Sequence, residues 1–355
     1  MSKLLDLITL VDNVPLDFAT NHYPYYRLFL SPSDPRPHGY IHPTTLSRMA
    51  WPSDGGGVTV SETDRTVTLA EPPPGVSAAE HINSTLQHVV DDAIANDTFP
   101  ILNGMHSEPF RLPGARVRPD GGGGGDESPP AQVERFAGSL FGIATRGAHM
   151  TCYTRRGDGD RAELKVWVAR RSRSLFAHPG KLDSTVAGGV KAADSPWDCI
   201  LAESLEEVSL RPEAVREAAR PAGVVTLANR NAGSGLFHAE ILYVYDMDMD
   251  VLTGSREDGR AGGQAGGDES GSKSPAVRPE LGYDGEVEAL ELMGLDEIRT
   301  RMEAGEFKPN VCAVMIDFMI RHGHVTPETE GEEAYLAICS RLRRNLPMAV
   351  GPLGL

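Results

Sequence analysis

Three glutamates lie within one turn of a predicted helix. Glu203, Glu206 and Glu207 are spaced i, i+3 and i+4, so their carboxylates share one helical face. Like charges this close destabilise a helix unless something offsets them. Mg²⁺, or Mn²⁺ in its place, can do so, because a hard divalent cation takes oxygen ligands and is usually shared between carboxylates and substrate phosphates. The spacing indicates either a cation site for a phosphorylated ligand or a solvated acidic helix face.

The residues around the glutamates predict the helix that carries them. Ser195 can cap its N-terminus, with Pro196 in the first turn, where a missing N–H costs little. A period of 3.6 residues places the apolar side chains on one stripe, which we expect to pack on the domain, and the glutamates on a different face. The stripe consists of Trp197, Ile200, Leu201, Leu205 and Val208. Gly188 and Gly189 predict a turn before the helix.

The segment 188–210 resembles the Nudix box, G-x5-E-x7-R-E-U-x-E-E-x-G-U. Gly188 stands at the first glycine of this motif, Glu203 at the central glutamate, and Glu206 and Glu207 at the glutamate pair. The chain departs from the motif at four positions. These are Asp194 for the first glutamate, Ala202 for the arginine, Ser204 for an aliphatic residue and Ser209 for the second glycine.

A wider pattern is similar to one Nudix subfamily, whose members have an N-terminal domain of unassigned function and are often named as related to thiamine pyrophosphokinase. The matching segments are 141–149, 166–172, 179–189, 284–288, 306–310 and 316–323. Leu175 stands where the subfamily has lysine. The resemblance implies an α/β fold, a Nudix α/β/α sandwich with a mixed sheet, preceded by a small α+β domain.

The resemblance also implies an activity, the Mg²⁺-dependent hydrolysis of a small organic diphosphate, with Mn²⁺ possible. Subfamily members convert oxidised forms of thiamine diphosphate to the monophosphate and phosphate. In this reading Glu203, Glu206 and Glu207 are the metal ligands. Glu206 or Glu207 is the catalytic base, or lies beside it, and activates the attacking water.

Further charged residues are candidates for contact with the substrate. Arg170 and Arg171 follow a predicted strand, where they either grip phosphate oxygens or lie on a solvated surface. Glu286 and Glu288 alternate on another predicted strand, either facing the metal site or lying on a solvated edge. Lys308 precedes a predicted buried helix. The predicted substrate-binding residues are Arg170, Arg171, Gly188, Gly189, Glu286, Glu288 and Lys308.

The elements that position these residues fall into two predicted units. Residues 1–113 predict an α+β domain, a possible substrate cap, with an extended segment at 25–30 and a helix at 77–96. Residues 114–132 predict a flexible Gly- and Pro-rich insertion. Residues 133–350 interleave strands with helices, which predicts an α/β layered domain, and the resemblance implies that this is the Nudix hydrolase domain. The stretch 253–278 predicts a disordered insertion within it.

Charge and composition exclude some partners. The 355 residues include 34 Lys and Arg against 50 Asp and Glu, a net charge of −16. Such a deficit of positive charge argues against a nucleic-acid polymer or a membrane surface as partner, but a divalent cation can still bridge acidic protein to a small diphosphate. Four widely spaced cysteines and the absence of a spanning apolar run predict a cytoplasmic location. Composition does not indicate an oligomeric state.

Two alternatives to the thiamine-type hydrolase stay open. One is a phosphatase of nucleoside diphosphates such as 8-oxo-dGDP, because Nudix sites hydrolyse many such compounds. The other is a catalytically silent protein that binds diphosphates, motivated by Ala202 and Leu175.

Overall fold

The computed structural model describes residues 2–52, 57–102, 108–115, 130–157, 163–252 and 277–351. The predicted insertions at 114–132 and 253–278 lie mostly outside these ranges. Within the ranges, no helix combines the length and the apolar character needed to cross a membrane.

The N-terminal part of the chain forms a small α+β unit. Its elements are α1 (Lys3–Val11), β1 (Tyr26–Phe29), β2 (Gly39–Ile41), α2 (Pro43–Arg48), β3 (Val58–Ser61), β4 (Thr66–Leu69), α3 (Ala78–Ala95) and β5 (Pro109–Arg111). The sheet has the order β2-β1-β4-β3. The helix predicted at 77–96 is confirmed as α3, because Ser77 caps its N-terminus and forms a capping box with Glu80.

The remaining elements belong to the second unit. They are β6 (Gln132–Glu134), α4 (Ala137–Phe141), β7 (Ala144–Arg156), β8 (Glu163–Arg171), β9 (Leu182–Asp183), β10 (Val186–Gly189), α5 (Pro196–Val208), α6 (Pro212–Ala218), β11 (Ala219–Arg230), β12 (Phe237–Asp248), β13 (Val287–Gly294), α7 (Leu295–Glu303), α8 (Pro309–Arg321), α9 (Pro327–Glu330) and α10 (Glu332–Leu342). Strand β6 pairs with β5 and so joins the two units.

A seven-stranded mixed sheet lies at the centre of the second unit. Its order is β11-β12-β7-β8-β13, with β10 also pairing with β7 and β9 with β8. Strands β7 and β12 are parallel, and the other pairs are antiparallel. Strand β7 pairs with β10 near its start and with β8 near its end, so the sheet splits between β10 and β8.

Helices cover both faces of this sheet. On one face Val166 and Val168 of β8 share a buried cluster with Ile316 of α8 and with residues of α1, α7 and α10. On the other face Met150 of β7 packs with Ile200 of α5 and with α6. Alternating side chains of the strands supply both cores, which is the pattern of a covered sheet. The predicted α/β/α sandwich with a mixed sheet is confirmed.

The first helix packs against the second unit. Leu4 and Ile8 of α1 are buried in the same core as α8. Just after α1, the buried Asp12 carboxylate pairs with Arg341 at 3.0 Å and Arg344 at 2.8 Å. The domain boundaries at 113 and 133 stay a prediction, and these contacts show that residues before 113 help to build the core of the larger sheet.

Candidate active site

Helix α5 carries the three glutamates and begins as the sequence predicts. Ser195 caps its N-terminus, forms a capping box with Asp198, and is followed by Pro196. Ile200 and Val208 of the predicted apolar stripe are buried, but Leu205 is 39% exposed. The stripe prediction is wrong at Leu205, and the prediction that the glutamates occupy a separate face is wrong for Glu207, because Ser204 and Glu207 take the buried positions instead.

Glu207 is buried against strand β10. It is 4% exposed, and its Oε2 accepts a hydrogen bond from the backbone N–H of Ala187 at 3.0 Å. Burial, and then the nearby Glu203 carboxylate, raise the pKa of Glu207 well above its ordinary value. The hydrogen bond fixes one carboxylate oxygen of Glu207 against strand β10.

Glu203 lies directly on the backbone of Gly188. Both glycines belong to strand β10, where Gly188 is opposite Ala148 of β7, so the predicted turn is wrong. A Cβ on Gly188 would stand 2.5 Å from Glu203 Cγ and 2.7 Å from its Cδ, and a Cβ on Gly189 would stand 2.6 Å from Phe110 Cζ. The absence of side chains therefore serves close packing, and a role in substrate binding stays a prediction for both glycines.

The segment 280–284 caps the C-terminal end of α5. The N–H groups of Glu280, Gly282 and Tyr283 donate to the carbonyls of Val208, Glu207 and Glu206 at 3.0, 2.9 and 3.0 Å. This contact satisfies carbonyl groups that a helix end leaves unpaired. It also places the chain that follows Tyr283 beside the glutamates.

Asp284 and Glu286 consequently join the acidic cluster. Burial, followed by the charges of Glu206, Glu286 and Asp284, raises the pKa of Glu203 to about 7. No local sequence pattern marks Asp284 as a site residue, although Asp284 lies in one of the segments that carry the subfamily resemblance. Its approach to α5 depends on a contact across the insertion, and no local pattern encodes that contact.

Glu288 does not join this cluster. Strand β13 begins at Val287, so the predicted alternation of Glu286 and Glu288 on one strand is wrong. Glu288 instead pairs with Arg173, whose Nη1 lies 3.5 Å away and whose N–H donates to its Oε2 at 3.2 Å. Of the two glutamates, only Glu286 lies beside the helix carboxylates.

Arg171 and Lys308 meet at a buried carboxylate. Arg171 Nη1 lies 3.3 Å and Lys308 Nζ 3.6 Å from Asp183 Oδ2. Asp183 is 3% exposed. Burial alone would raise the pKa of Asp183, but the charges of Lys308, His149 and Arg171 hold it below its ordinary value. Asp183 lies four residues before Ala187, whose N–H binds Glu207, and its charge contributes to the raised pKa of Glu207 after burial and the Glu203 carboxylate. The cation pair therefore lies near the glutamates.

A buried histidine supports Asp183 from inside the sheet. His149 Nδ1 lies 3.0 Å from Ser184 Oγ and 4.0 Å from Asp183 Oδ1. Burial lowers the pKa of His149 to about 4, with the Asp183 charge opposing the shift. His149, Asp183 and Lys308 come from three different resemblance segments, and the fold brings them together.

Arg170 points away from this site. Its Nε and Nη2 donate to Glu291 Oε1 at 3.1 and 2.7 Å, and Glu291 also binds Arg301 of α7. Successive residues of a strand face opposite sides of the sheet, so Arg170 and Arg171 do not act together. The two arginines therefore bind different carboxylates, Glu291 and Asp183, and the contact of either arginine with a substrate stays a prediction.

The donor set on α5 fits a hard cation chemically. Within the described ranges, no group of three or more His, Cys, Asp and Glu side chains is already arranged to hold a metal ion. The oxygens of Glu203, Glu206 and Glu207 are nevertheless the ligand type that Mg²⁺ takes. Burial, and then the neighbouring carboxylates, raise the pKa of Glu203 and Glu207, and a bound cation would offset the repulsion between these carboxylates.

The chain is similar to curated proteins of two organisms. No family model matches it. It is 31% identical to an uncharacterized protein of Saccharomyces cerevisiae over 231 residues, which cover 62% of this chain and 59% of that protein. It is 30% identical to Nudix hydrolase 20, chloroplastic, of Arabidopsis thaliana over 212 residues, or 59% of this chain and 47% of that protein. The chain therefore spans less than two thirds of either relative.

A solved structure gives a weaker match. A NUDIX domain from Shewanella oneidensis, crystallised with ADP ribose, aligns with 52% of this chain and 91% of its own, at 14% identity and a TM-score of 0.32. The name of the plant relative supports the Nudix resemblance that the motif at 188–210 carries.

Proposed function

We propose that this chain is a Nudix-type hydrolase of small organic diphosphates, and that its substrate is an oxidised form of thiamine diphosphate, which it converts to the monophosphate and phosphate. The observation that carries the proposal is the seating of Glu203 and Glu207 on strand β10, with the Arg171–Lys308 pair at the border of the same site. The subfamily resemblance supports the thiamine-type substrate.

The helix glutamates would hold the cation. Glu203, Glu206 and Glu207 would supply oxygen ligands to Mg²⁺ or Mn²⁺, and the metal when bound would neutralise the charge of the diphosphate. Glu207 is held by Ala187 N–H, and Glu203 is confined by Gly188. Glu206 is more exposed than Glu207 and therefore reaches solvent water more readily.

In the proposed reaction a water oxygen bonds to the terminal phosphorus, and the bridging P–O bond breaks. The proton of the water passes to a glutamate, for which Glu206 is the better placed candidate because of its exposure. The products are the organic monophosphate and phosphate. Arg171 and Lys308 would hold phosphate oxygens, and Asp183 orients both cations. Asp183 is thus a positioning residue.

Ala202 favours one competing function, a silent diphosphate-binding protein. It stands on α5 where the motif has arginine, and its side chain is exposed. The three glutamates remain in place without that arginine, so we favour hydrolysis. Multiple turnovers on any diphosphate would exclude the silent alternative.

The test is phosphate release with Mg²⁺ from oxidised thiamine diphosphate, thiamine diphosphate, ADP and 8-oxo-dGDP. We expect preference for the oxidised thiamine compound, whereas preference for 8-oxo-dGDP would support the nucleotide alternative. Replacing Glu206 and Glu207 together by Gln removes the base, which contributes about 10²–10⁴-fold to the rate. The control replaces Glu213 and Glu217 of α6 by Gln, an equal change of charge on an exposed surface. Full activity of the α5 double variant would refute the proposal.

A further inference from the structure

Arg146 is a buried cation without an ionic partner. It lies on β7 and is 8% exposed. Its Nη2 donates to the carbonyl of Lys191 at 2.8 Å, whereas its Nε has no hydrogen-bond partner. Among the described residues, Arg146 forms no ion pair. A buried charge is costly unless it is paired, so this guanidinium requires an explanation.

A second arginine reaches the same place from the N-terminal unit. Arg111 of β5 donates from Nε to the carbonyl of Ala192 at 3.1 Å. Burial, and then the charge of Arg111, lower the pKa of Arg146. Both arginines thus bind neighbouring carbonyls in the loop between β10 and α5. Two like charges so placed repel each other, and an anion between them would offset both the repulsion and the burial.

The nearby carboxylates that the structure describes do not supply that anion. Glu108 is taken up by Lys191 at 3.1 Å and by Arg135 at 3.5 Å. Asp194 affects the pKa of Arg146 only as the last of several contributions. Among the described residues, the patch formed by Arg111, Arg146 and Lys191 therefore has more cations than carboxylates, in a chain of net charge −16.

The patch borders the glutamate site. Lys191 lies in the same loop, and its charge acts on Glu203. Phe110, next to Arg111, is the ring that packs on Gly189, one residue beyond the glycine that receives Glu203. An anion held by the two arginines would therefore lie beside the group of residues that we propose to hold the cation.

We infer that Arg146 and Arg111 form an anion subsite that binds the phosphate group remaining on the organic product. The identity of this anion rests on the proposed function, whereas the subsite itself rests on the two arginines. A guanidinium presents paired N–H donors that match phosphate oxygens. The N-terminal unit thereby supplies one residue of the subsite, Arg111 of β5.

The test is the binding of inorganic phosphate to the full chain at low salt, by calorimetry, with divalent metals removed so that the glutamates do not bind the anion. We expect Arg111→Gln, at an exposed position, to raise Kd by about tenfold or more, because one charge-assisted hydrogen bond is lost. Arg135→Gln is the matched control. Arg135 lies in the turn after β6, and its charge is taken up by Glu108 while its guanidinium lies over the Phe110 ring. We expect its replacement to leave Kd unchanged.

Arg146→Lys keeps the positive charge but loses the paired N–H donors of the guanidinium, so we expect it to weaken phosphate binding as well. No phosphate binding by the natural chain, or equal effects of the Arg111 and Arg135 changes, would overturn the inference. In the diphosphate assay, Arg111→Gln is expected to raise KM more than it lowers kcat. Phosphate binding without hydrolysis of any diphosphate would refute the proposed function and leave the subsite standing, whereas hydrolysis that is indifferent to Arg111 would refute the subsite alone.

Discussion

Gly188→Ala tests whether activity depends on the position of the Glu203 side chain against the backbone of Gly188. The added Cβ would stand 2.5 Å from Glu203 Cγ and 2.7 Å from its Cδ, where ordinary contact begins at 3.4 Å. Relief requires a movement of about 1 Å by the glutamate or by strand β10. Misplacing a reacting group by about 1 Å can cost about 10²-fold in rate. Overpacking also costs about 1–3 kcal/mol of stability. We therefore expect a folded variant with activity about 100-fold lower.

The assay is Mg²⁺-dependent phosphate release on the preferred diphosphate, with thermal unfolding measured in parallel. Gly147→Ala is the control, because it lies on the paired strand β7. The nearest atom to its Cβ would be the flexible end of Leu242, at 3.0 Å, and the next two, Gly188 O at 3.7 Å and His149 Nε2 at 3.8 Å, are in ordinary contact. We expect this control to keep most of the activity. Full activity in a stable Gly188→Ala protein would refute the reasoning, and so would equal losses in both variants.

Three further predictions concern stability, measured by urea unfolding. Ser209 ends α5 at φ +54° and donates to the carbonyl of Leu281 at 3.1 Å. Alanine and glycine both lose this hydrogen bond, but only alanine keeps the strain of the left-handed backbone, so we expect Ser209→Ala to be about 1 kcal/mol less stable than Ser209→Gly. Equal stabilities of the two variants would contradict this prediction. Burial lowers the pKa of His149 from 6.5 to about 4, so between these pH values the unfolded chain binds more protons than the folded one. The free energy of unfolding should therefore fall as the pH drops from 6.5 to about 4, by about 3 kcal/mol more than in His149→Gln. Parallel pH profiles of the two proteins would contradict this prediction. Asp12→Asn leaves the buried Arg344 without its charged partner and is expected to cost about 3–5 kcal/mol, whereas a loss below 1 kcal/mol would show that the pair is dispensable.

Local patterns predicted the elements that local physics determines. The capping boxes at Ser77 and Ser195 and the proline at 196 define helix starts from a few neighbouring residues. The buried helix expected after Lys308 is confirmed as α8, because its apolar residues continue around the whole helix. The two-sided cover of the large sheet followed from strands interleaved with helices.

The site itself depends on contacts that no local pattern contains. Helical periodicity placed Leu205 in the apolar stripe, but the helix is rotated so that Glu207 meets the N–H of Ala187 on strand β10. A glycine in a sequence indicates a turn as readily as a place where another group approaches the backbone closely, so the residue type of Gly188 does not distinguish the two. Asp183 carries no motif of its own, and its role appears only where β9 brings it to Arg171 and Lys308.

The distribution of charge explains how an acidic chain can present a site for a diphosphate. The carboxylates of α5 and of the segment after Tyr283 gather at one place, where they repel one another and would attract a cation. Cations lie on either border, the half-buried Arg171 and Lys308 on one side and the buried Arg146 with the exposed Arg111 on the other. Net charge acts at long range and is screened within about 10 Å by salt, whereas these groups act at contact distance in a partly dry site. The net charge of −16 would therefore weaken the binding of large polyanions, whereas a small diphosphate would meet positive and negative groups at contact distance.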